Sequence, residues 1–234
     1  MRKVTRWSGH IWNRVQKREP VSGWVIPVPD LPPRLIERLR AIAAKKEARH
    51  GKETARRDLL RALARMENID HRRELYGRVW PDRADTWGFR IRQFNVARTF
   101  PGTELALKAS HDWTARRTIL IVNKRVRTHN FFHPRAPYIL LKPKAHEITD
   151  DIIAMPKINA PSILEILGNQ DNEGFSPRGK AFFKKLKESF GVNEEKLERE
   201  ADVIEQRTGF EWRNLLLLGV SNGKFVFMPL VDVE

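Results

Sequence analysis

Basic residues are concentrated in the first 144 positions of this chain, and that imbalance limits the folds it can adopt. Residues 1–144 hold 33 Lys and Arg against 13 Asp and Glu, a net charge of +20. Residues 145–234 hold 11 against 16, a net charge of −5. Because like charges repel one another in a compact fold, the excess is most simply explained by a polyanionic partner, and nucleic acid is the first candidate.

The composition also provides for a folded body. Hydrophobic residues make up 41% of the 234 positions and include seven Trp and twelve Phe, enough for a sizeable core. The chain has no Cys, which excludes disulfides, thiolate zinc sites and a Cys nucleophile. No apolar run reaches the roughly 18 residues of a membrane span, so we expect none.

Residues 1–30 are expected to form an extended basic arm with Trp7, Trp12 and Trp24 as aromatic anchors. No acid precedes Glu19. Two explanations stay open: an organellar transit peptide, which is basic and poor in acid, or an arm ordered by a larger assembly.

Residues 31–75 are expected to form a helical pair. Pro32 and Pro33 favour a helix start, after which Leu35, Leu39 and Ile42 recur at helical spacing. A second helix is predicted from about Thr54 to Arg73, with an apolar side opposite a basic stripe formed by Arg57, Arg61 and Arg65. Like charges at this spacing cost roughly 0.2–0.5 kcal/mol per pair, so the stripe needs either a phosphate partner or acids elsewhere in the chain.

Residues 76–144 are expected to be basic and rich in strands. Trp87, Phe89 and Ile91 alternate with their neighbours, and a change of parity at Phe94 predicts a bulge near residues 92–93. Two further strands are predicted at 118–122 and 138–141. They are joined by a loop in which His129 and His133, with Phe131 and Phe132, are expected to contact the core or RNA.

Residues 145–234 are expected to form an acidic module of helices with a C-terminal hairpin. Helices are predicted at 162–167, at 176–190 and from Asn193 to Gly209. Asn222-Gly223 between two apolar runs predicts a tight hairpin turn, since a type I′ turn needs positive φ at both positions. The fold class is therefore α+β: an extended basic N-terminal arm, a helical pair, a small antiparallel sheet, then helices with a C-terminal β-hairpin.

Sequence patterns for catalysis are weak. The chain has no phosphate-binding Gly-rich loop and no Gly-x-Ser-x-Gly elbow. Pro81-Asp82 resembles the start of a metal-dependent nuclease motif, but the later strands lack an acid at the required spacing. His129 and His133 would share one face only on a helix, and no Asp or Glu lies between Asp112 and Glu147 to complete a metal site. We therefore expect no enzyme activity, cofactor, metal or small-molecule substrate.

Clusters of basic residues with interleaved aromatics are the informative signal. Arginine pairs bidentately with phosphate and stacks on bases, as aromatic rings do, which suits irregular RNA. The candidate RNA-binding residues are Arg2, Lys3, Arg6, Trp7, Trp12, Arg14, Lys17, Arg18, Arg57, Arg61, Arg65, Arg116, Arg117, Lys124, Arg125, Arg127 and Arg135.

The 176–190 and 193–209 helices with the hairpin could also form a winged helix. However, the second helix carries six acids that would repel DNA. It is therefore expected to pair with the lysines of the first helix or to offer an acidic surface to a basic protein neighbour.

The whole pattern resembles the class of mitochondrial ribosomal proteins: a Trp- and Arg-rich basic arm, a Cys-free α+β body, an acidic C-terminal part and no catalytic motif. The resemblance implies a structural subunit in the mitochondrial matrix that binds rRNA through its basic parts and neighbouring ribosomal proteins through its acidic C-terminal part. The alternatives are a supernumerary subunit of another mitochondrial complex, of respiratory type, and then an enzyme acting on nucleic acid.

Overall fold

The described strands form two four-stranded sheets, and each sheet combines consecutive strands with strands from distant parts of the chain. The structure is a computed structural model that describes residues 23–45, 48, 91–95, 104–109, 114–150, 152–168 and 174–231. Helices and sheets are both present in this part of the chain, so the fold is α+β, as predicted. Residues 1–22 of the predicted arm, the second helix of the predicted pair and the alternating positions 87 and 89 lie outside the described residues.

The described residues divide into two units, each assembled from separate segments. The first unit contains residues 28–45, the described part of 91–121, and residues 144–157. The second, the hairpin unit, contains residues 23–27, 122–143 and the described part of 158–231. Each unit is discontinuous along the chain because strand pairing joins distant segments.

In the first unit a helix packs on an antiparallel sheet. Its strands are β2 Ile91–Asn95, β3 Glu104–Ala109, β5 His146–Thr149 and β6 Ile152–Pro156, in the order β2-β3-β6-β5. Helix α1 covers residues 33–45, and its apolar residues meet one face of this sheet in a core that includes Leu35, Leu39, Leu105 and Ile152.

Local chemistry explains how α1 begins and what holds it. The Pro32 carbonyl accepts hydrogen bonds from the amides of Leu35 and Ile36, which opens the first turn where the missing N–H of Pro33 costs nothing. Arg40 then donates from Nε and Nη2 to the Glu147 carbonyl at 3.0 and 2.8 Å, so α1 is tied to β5.

The pairing of β2 with β3 corrects one expectation. Their register runs without a shift from Ile91 to Asn95, so the predicted bulge at residues 92–93 is wrong.

The hairpin unit is built on a second sheet. Its strands are β1 Gly23–Val25, β4 Ile139–Leu140, β7 Leu215–Ser221 and β8 Lys224–Pro229, in the order β1-β7-β8-β4. The β7–β8 hairpin is confirmed, with Asn222 at φ 51° and Gly223 at φ 72° as the turn type requires. The last part of the expected arm, Gly23–Val25, pairs antiparallel with β7 and therefore belongs to the body.

Three predicted C-terminal helices are confirmed together with their capping residues. They are α3 Ile163–Leu167, α4 Pro177–Phe190 and α5 Glu194–Thr208, and a 3₁₀ turn at Trp212–Asn214 follows. Ser162, Ser176 and Asn193 each accept a backbone amide at the N-cap, and Gly191 and Gly209 end α4 and α5 in the left-handed conformation. The buried faces of these helices contribute to a core with Phe183, Phe225 and Phe227, whose rings lie about 6 Å apart between centroids.

Candidate nucleic-acid interface

The longest described helix contains the basic residues predicted between positions 116 and 127. Helix α2 runs from Ala115 to Phe132, with the Thr114 hydroxyl accepting the Arg117 amide at 3.3 Å in its first turn. Its buried side chains recur at spacings of three and four: Ala115, Thr118, Val122, Val126 and His129. That spacing is the mark of an amphipathic helix with one buried face.

The predicted strand at 118–122 and the predicted loop after it are therefore wrong. The run at 118–122, in which four of the five residues are β-branched, favours a strand locally. However, Thr118 and Val122 continue into Val126 and His129 on one helical face, and burial of that stripe outweighs the local preference. The other predicted strand, 138–141, is confirmed at its centre by β4, which pairs parallel with β8.

The solvent face of α2 is cationic. Arg116, Arg117, Lys124 and Arg127 are exposed on it, and Arg135 is exposed just beyond the helix end. No Asp or Glu occurs from residue 113 to residue 146, so the segment itself supplies no carboxylate to this face. A helix with this distribution attracts polyanions.

Arg125 occupies a different position from the other basic residues of α2. It is half-buried, and its Nη1 atom lies beside Gly209, the residue that caps the C-terminal end of α5. A cation at that end is favoured by the carbonyl dipoles of the helix. Arg125 is thus placed to stabilise the hairpin unit, whereas the sequence grouped it with the RNA-binding candidates.

Two aromatic rings interrupt the cationic surface at the end of α2. The side chains of Phe131 and Phe132 are 78% and 68% exposed, and their ring centroids lie 5.3 Å apart at an interplanar angle of 84°. The sequence placed both rings in a loop touching core or RNA. They lie instead on the last turn of α2 and are exposed to solvent. To distinguish them from core residues, the sequence would have had to show which side of a helix they occupy.

Three polar contacts, the first of them buried, hold this end of the helix and the turn after it against the sheet. The Tyr138 hydroxyl and His129 Nε2 lie 3.0 Å apart, and their rings stack at an angle of 19°. Asn130 donates from Nδ2 to the Leu140 carbonyl at 2.9 Å, and Lys224 donates from Nζ to the carbonyl of residue 136 at 2.8 Å. The exposed rings therefore project from a well-anchored backbone.

The charge state of His129 follows from its burial. Desolvation lowers the pKa of His129, and the nearby His133 and Arg207 lower it further, so the neutral imidazole is favoured. Helix α2 includes His129 and ends one residue before His133, and the two ring centroids lie 5.0 Å apart, which corrects the expectation that no helix forms there. Within the described residues, no cluster of three or more potential metal ligands includes them.

An acidic surface lies on α5. Its exposed or half-exposed carboxylates are Glu194, Glu195, Glu198, Asp202 and Glu205. Burial and the neighbouring Glu211 and Asp202 raise the pKa of Glu205, as repulsion between carboxylates requires. Glu200 does not belong to this surface, because its side chain is 3% exposed.

The ion pairs of α4 and α5 differ from the expected pattern. Two alternatives were expected from the sequence: the lysines of α4 pair with the acids of α5, or α5 offers its acids to a basic protein neighbour. The described pairs lie instead within each helix, Lys184 with Glu188 on α4 and Lys196 with Glu200 on α5. The carboxylates on the surface of α5 therefore remain suited to a basic neighbour.

The other predicted RNA-binding residues lie outside the described residues. They are Arg2, Lys3, Arg6, Trp7, Trp12, Arg14, Lys17, Arg18, Arg57, Arg61 and Arg65. Across the part of the chain that the structure describes, none of the helices combines the length and apolarity needed to cross a membrane. Comparison with known proteins found no matching family model, no matching curated protein and no matching solved structure.

Proposed function

We propose that the protein is a structural, rRNA-binding subunit of a mitochondrial ribosome in the mitochondrial matrix. The observation that carries the RNA-binding part is the exposed cationic face of α2, where Lys124 and Arg127 are followed by Phe131 and Phe132. Cations neutralise phosphates and aromatic faces stack on bases, so this combination suits RNA better than a generic solvated surface does. The choice of ribosome and organelle rests on the class-level pattern of the sequence.

The acidic side of α5 supports the second half of the proposal. Glu194, Glu195 and Glu198 oppose phosphate and favour a basic protein neighbour, so RNA and protein contacts use different helices. The role is to neutralise rRNA charge and to bridge neighbouring ribosomal proteins.

Sedimentation tests the assembly. Tagged full-length protein from a mitochondrial lysate should migrate with a ribosomal subunit and move to lighter fractions after ribonuclease treatment. Migration with a membrane complex that ignores ribonuclease would instead support a supernumerary respiratory-type subunit.

Charge substitutions test the surface. Replacing Lys124, Arg127 and Arg135 with Gln should lower the slope of log affinity for RNA against log salt, by up to about 0.7–0.9 for each phosphate that the variant no longer neutralises. The matched control replaces three exposed lysines of α4, Lys180, Lys184 and Lys187, and removes the same net charge. Equal effects of both triple variants would mean that only net charge matters and that α2 is not the interface.

A further inference from the structure

The pair of exposed rings at the end of α2 has no counterpart elsewhere among the described residues. Apart from Leu120, Phe131 and Phe132 are the large hydrophobic residues that the described chain leaves exposed. Exposing two adjacent aromatic rings forgoes the favourable free energy of burying them, about 25 cal/mol for each Å² of apolar surface. A pair of this kind on a well-anchored backbone marks an interaction site.

The charged residues near the rings in the sequence are all basic, since no Asp or Glu occurs from residue 113 to residue 146. On a helix, Arg127 lies one turn before Phe131 on the same side, about 6 Å along the axis, and Lys124 lies about 10 Å before it. Arg135 follows the rings after the helix ends, and all three cations are exposed. The two rings are thus flanked by cations on both sides along the chain.

We propose that Phe131 and Phe132 form a stacking platform for unpaired nucleobases, with Lys124, Arg127 and Arg135 holding the phosphates on either side. This rests on the proposed function and names the class of RNA that this surface takes: single-stranded segments, such as loops and bulges, in preference to duplex. Bases in a duplex already stack on one another, so only unpaired bases can offer a free face to the rings. The two rings stand at 84° to each other, so they fit two separate bases better than one continuous stack.

The pattern of the helix favours RNA over a membrane surface. Helices that lie on membranes gather their apolar residues into one broad face, with the cations on the other. In α2 that broad apolar face is already buried, and the exposed face interleaves Leu120 and Phe131 with Lys124 and Arg127. A flexible phosphate chain whose bases reach the rings matches this interleaved arrangement better than a flat lipid surface does.

The test compares three ligands of equal length on the full-length protein: a single-stranded RNA, the same strand with abasic positions, and the matching duplex. The variant Phe131→Ala/Phe132→Ala should bind the single strand about fivefold or more weakly, as expected for losing one stacked base. The affinity of this variant for the abasic strand and for the duplex should stay within about twofold of the parent's affinity. A twofold change is well below a tenfold change, which corresponds to about 1.4 kcal/mol. Phe131→Tyr/Phe132→Tyr keeps both rings and should retain full affinity.

Leu120→Ala is the matched control, since it removes an exposed apolar side chain of α2 that has no ring. It should leave all three affinities unchanged. Both Phe positions are exposed, so circular dichroism and the unfolding midpoint of the double variant should equal those of the parent.

Each other outcome overturns the platform in a recognisable way. Unchanged single-strand affinity in the double Ala variant would refute it while leaving RNA binding intact. An equal loss on the abasic strand would show that the rings only position the cations. Loss of binding to cardiolipin-containing vesicles, with RNA affinity unchanged, would identify a lipid surface as the occupant. If the parent protein binds none of the three RNAs, the proposed function itself fails.

Discussion

Replacing Glu200 with Gln should stabilise the hairpin unit at alkaline pH. Glu200 is 3% exposed; its Oε1 lies 3.9 Å from Lys196 Nζ, and its Oε2 has no hydrogen-bond partner among the described residues. Desolvation raises the pKa of Glu200 from 4.5 to about 7, against the attraction of Lys196, Arg199 and Lys224. The folded state therefore favours the protonated, uncharged carboxyl.

The sign of the pH effect follows from this shift. Because the folded-state pKa is raised, unfolding between pH 4.5 and about 7 releases a proton, and the contribution of Glu200 to stability is lost as the pH rises through that range. The shift corresponds to about 3 kcal/mol at 1.36 kcal/mol per pKa unit. Glu200→Gln is neutral at every pH, so it should be more stable than the parent by up to about 3 kcal/mol at about pH 8 and nearly equal to it at about pH 4.5.

Urea unfolding at about pH 5, 6, 7 and 8 measures this difference, and taking parent minus variant cancels the other titrating groups. His129 is one of these groups. Its pKa is lowered in the folded state, so its contribution to stability is lost as the pH falls below 6.5, which is the opposite of the behaviour of Glu200. The control is Glu198→Gln, at an exposed position of the same helix. A variant less stable than the parent at alkaline pH would refute the reasoning, because it would mean that Lys196 and its neighbours compensate the buried carboxylate fully.

Three further substitutions probe contacts at the end of α2 and within the sheet of the hairpin unit. Gly219→Ala should lower the unfolding midpoint and release β1, since Gly219 has φ 146° and an added Cβ would overlap the Trp24 carbonyl oxygen; unchanged Trp fluorescence and midpoint would contradict this. Tyr138→Phe should cost about 1 kcal/mol of unfolding free energy, because it removes the hydroxyl 3.0 Å from the buried His129 Nε2; a neutral effect in urea unfolding would show that the contact contributes nothing net. Gly223→Val should lower the unfolding free energy by about 1–2 kcal/mol. The cause is the positive φ alone, since an added Cβ meets no atom within 4 Å. If backbone strain is the cause, Gly223→Asn should lower it much less in the same assay.

The candidate surface was only partly predictable. The basic residues from Arg116 to Arg135 were identified from charge, which is a property of the sequence, and Arg116, Lys124 and Arg127 are indeed exposed. The element that carries them was predicted as strand and loop, because the β-branched residues at 118–122 outweighed a helical stripe visible only across fifteen residues. That error also hid the positions of Phe131 and Phe132, whose exposure depends on which side of the helix they occupy.

Short-range chemistry by itself determined the C-terminal elements. The Ser162, Ser176 and Asn193 caps, the left-handed Gly191 and Gly209, and the Asn222-Gly223 turn each act within a few residues, so the sequence contains all the information they need. Tertiary structure alone decided that Thr118–Val122 is helical and that Gly23–Val25 pairs with β7. It also decided that Glu200 is buried, whereas the other carboxylates of α5 are exposed or half-exposed. These outcomes depend on which surfaces meet across distant segments, and the free energy of burying a stripe of side chains there exceeds the local preferences of the residues involved.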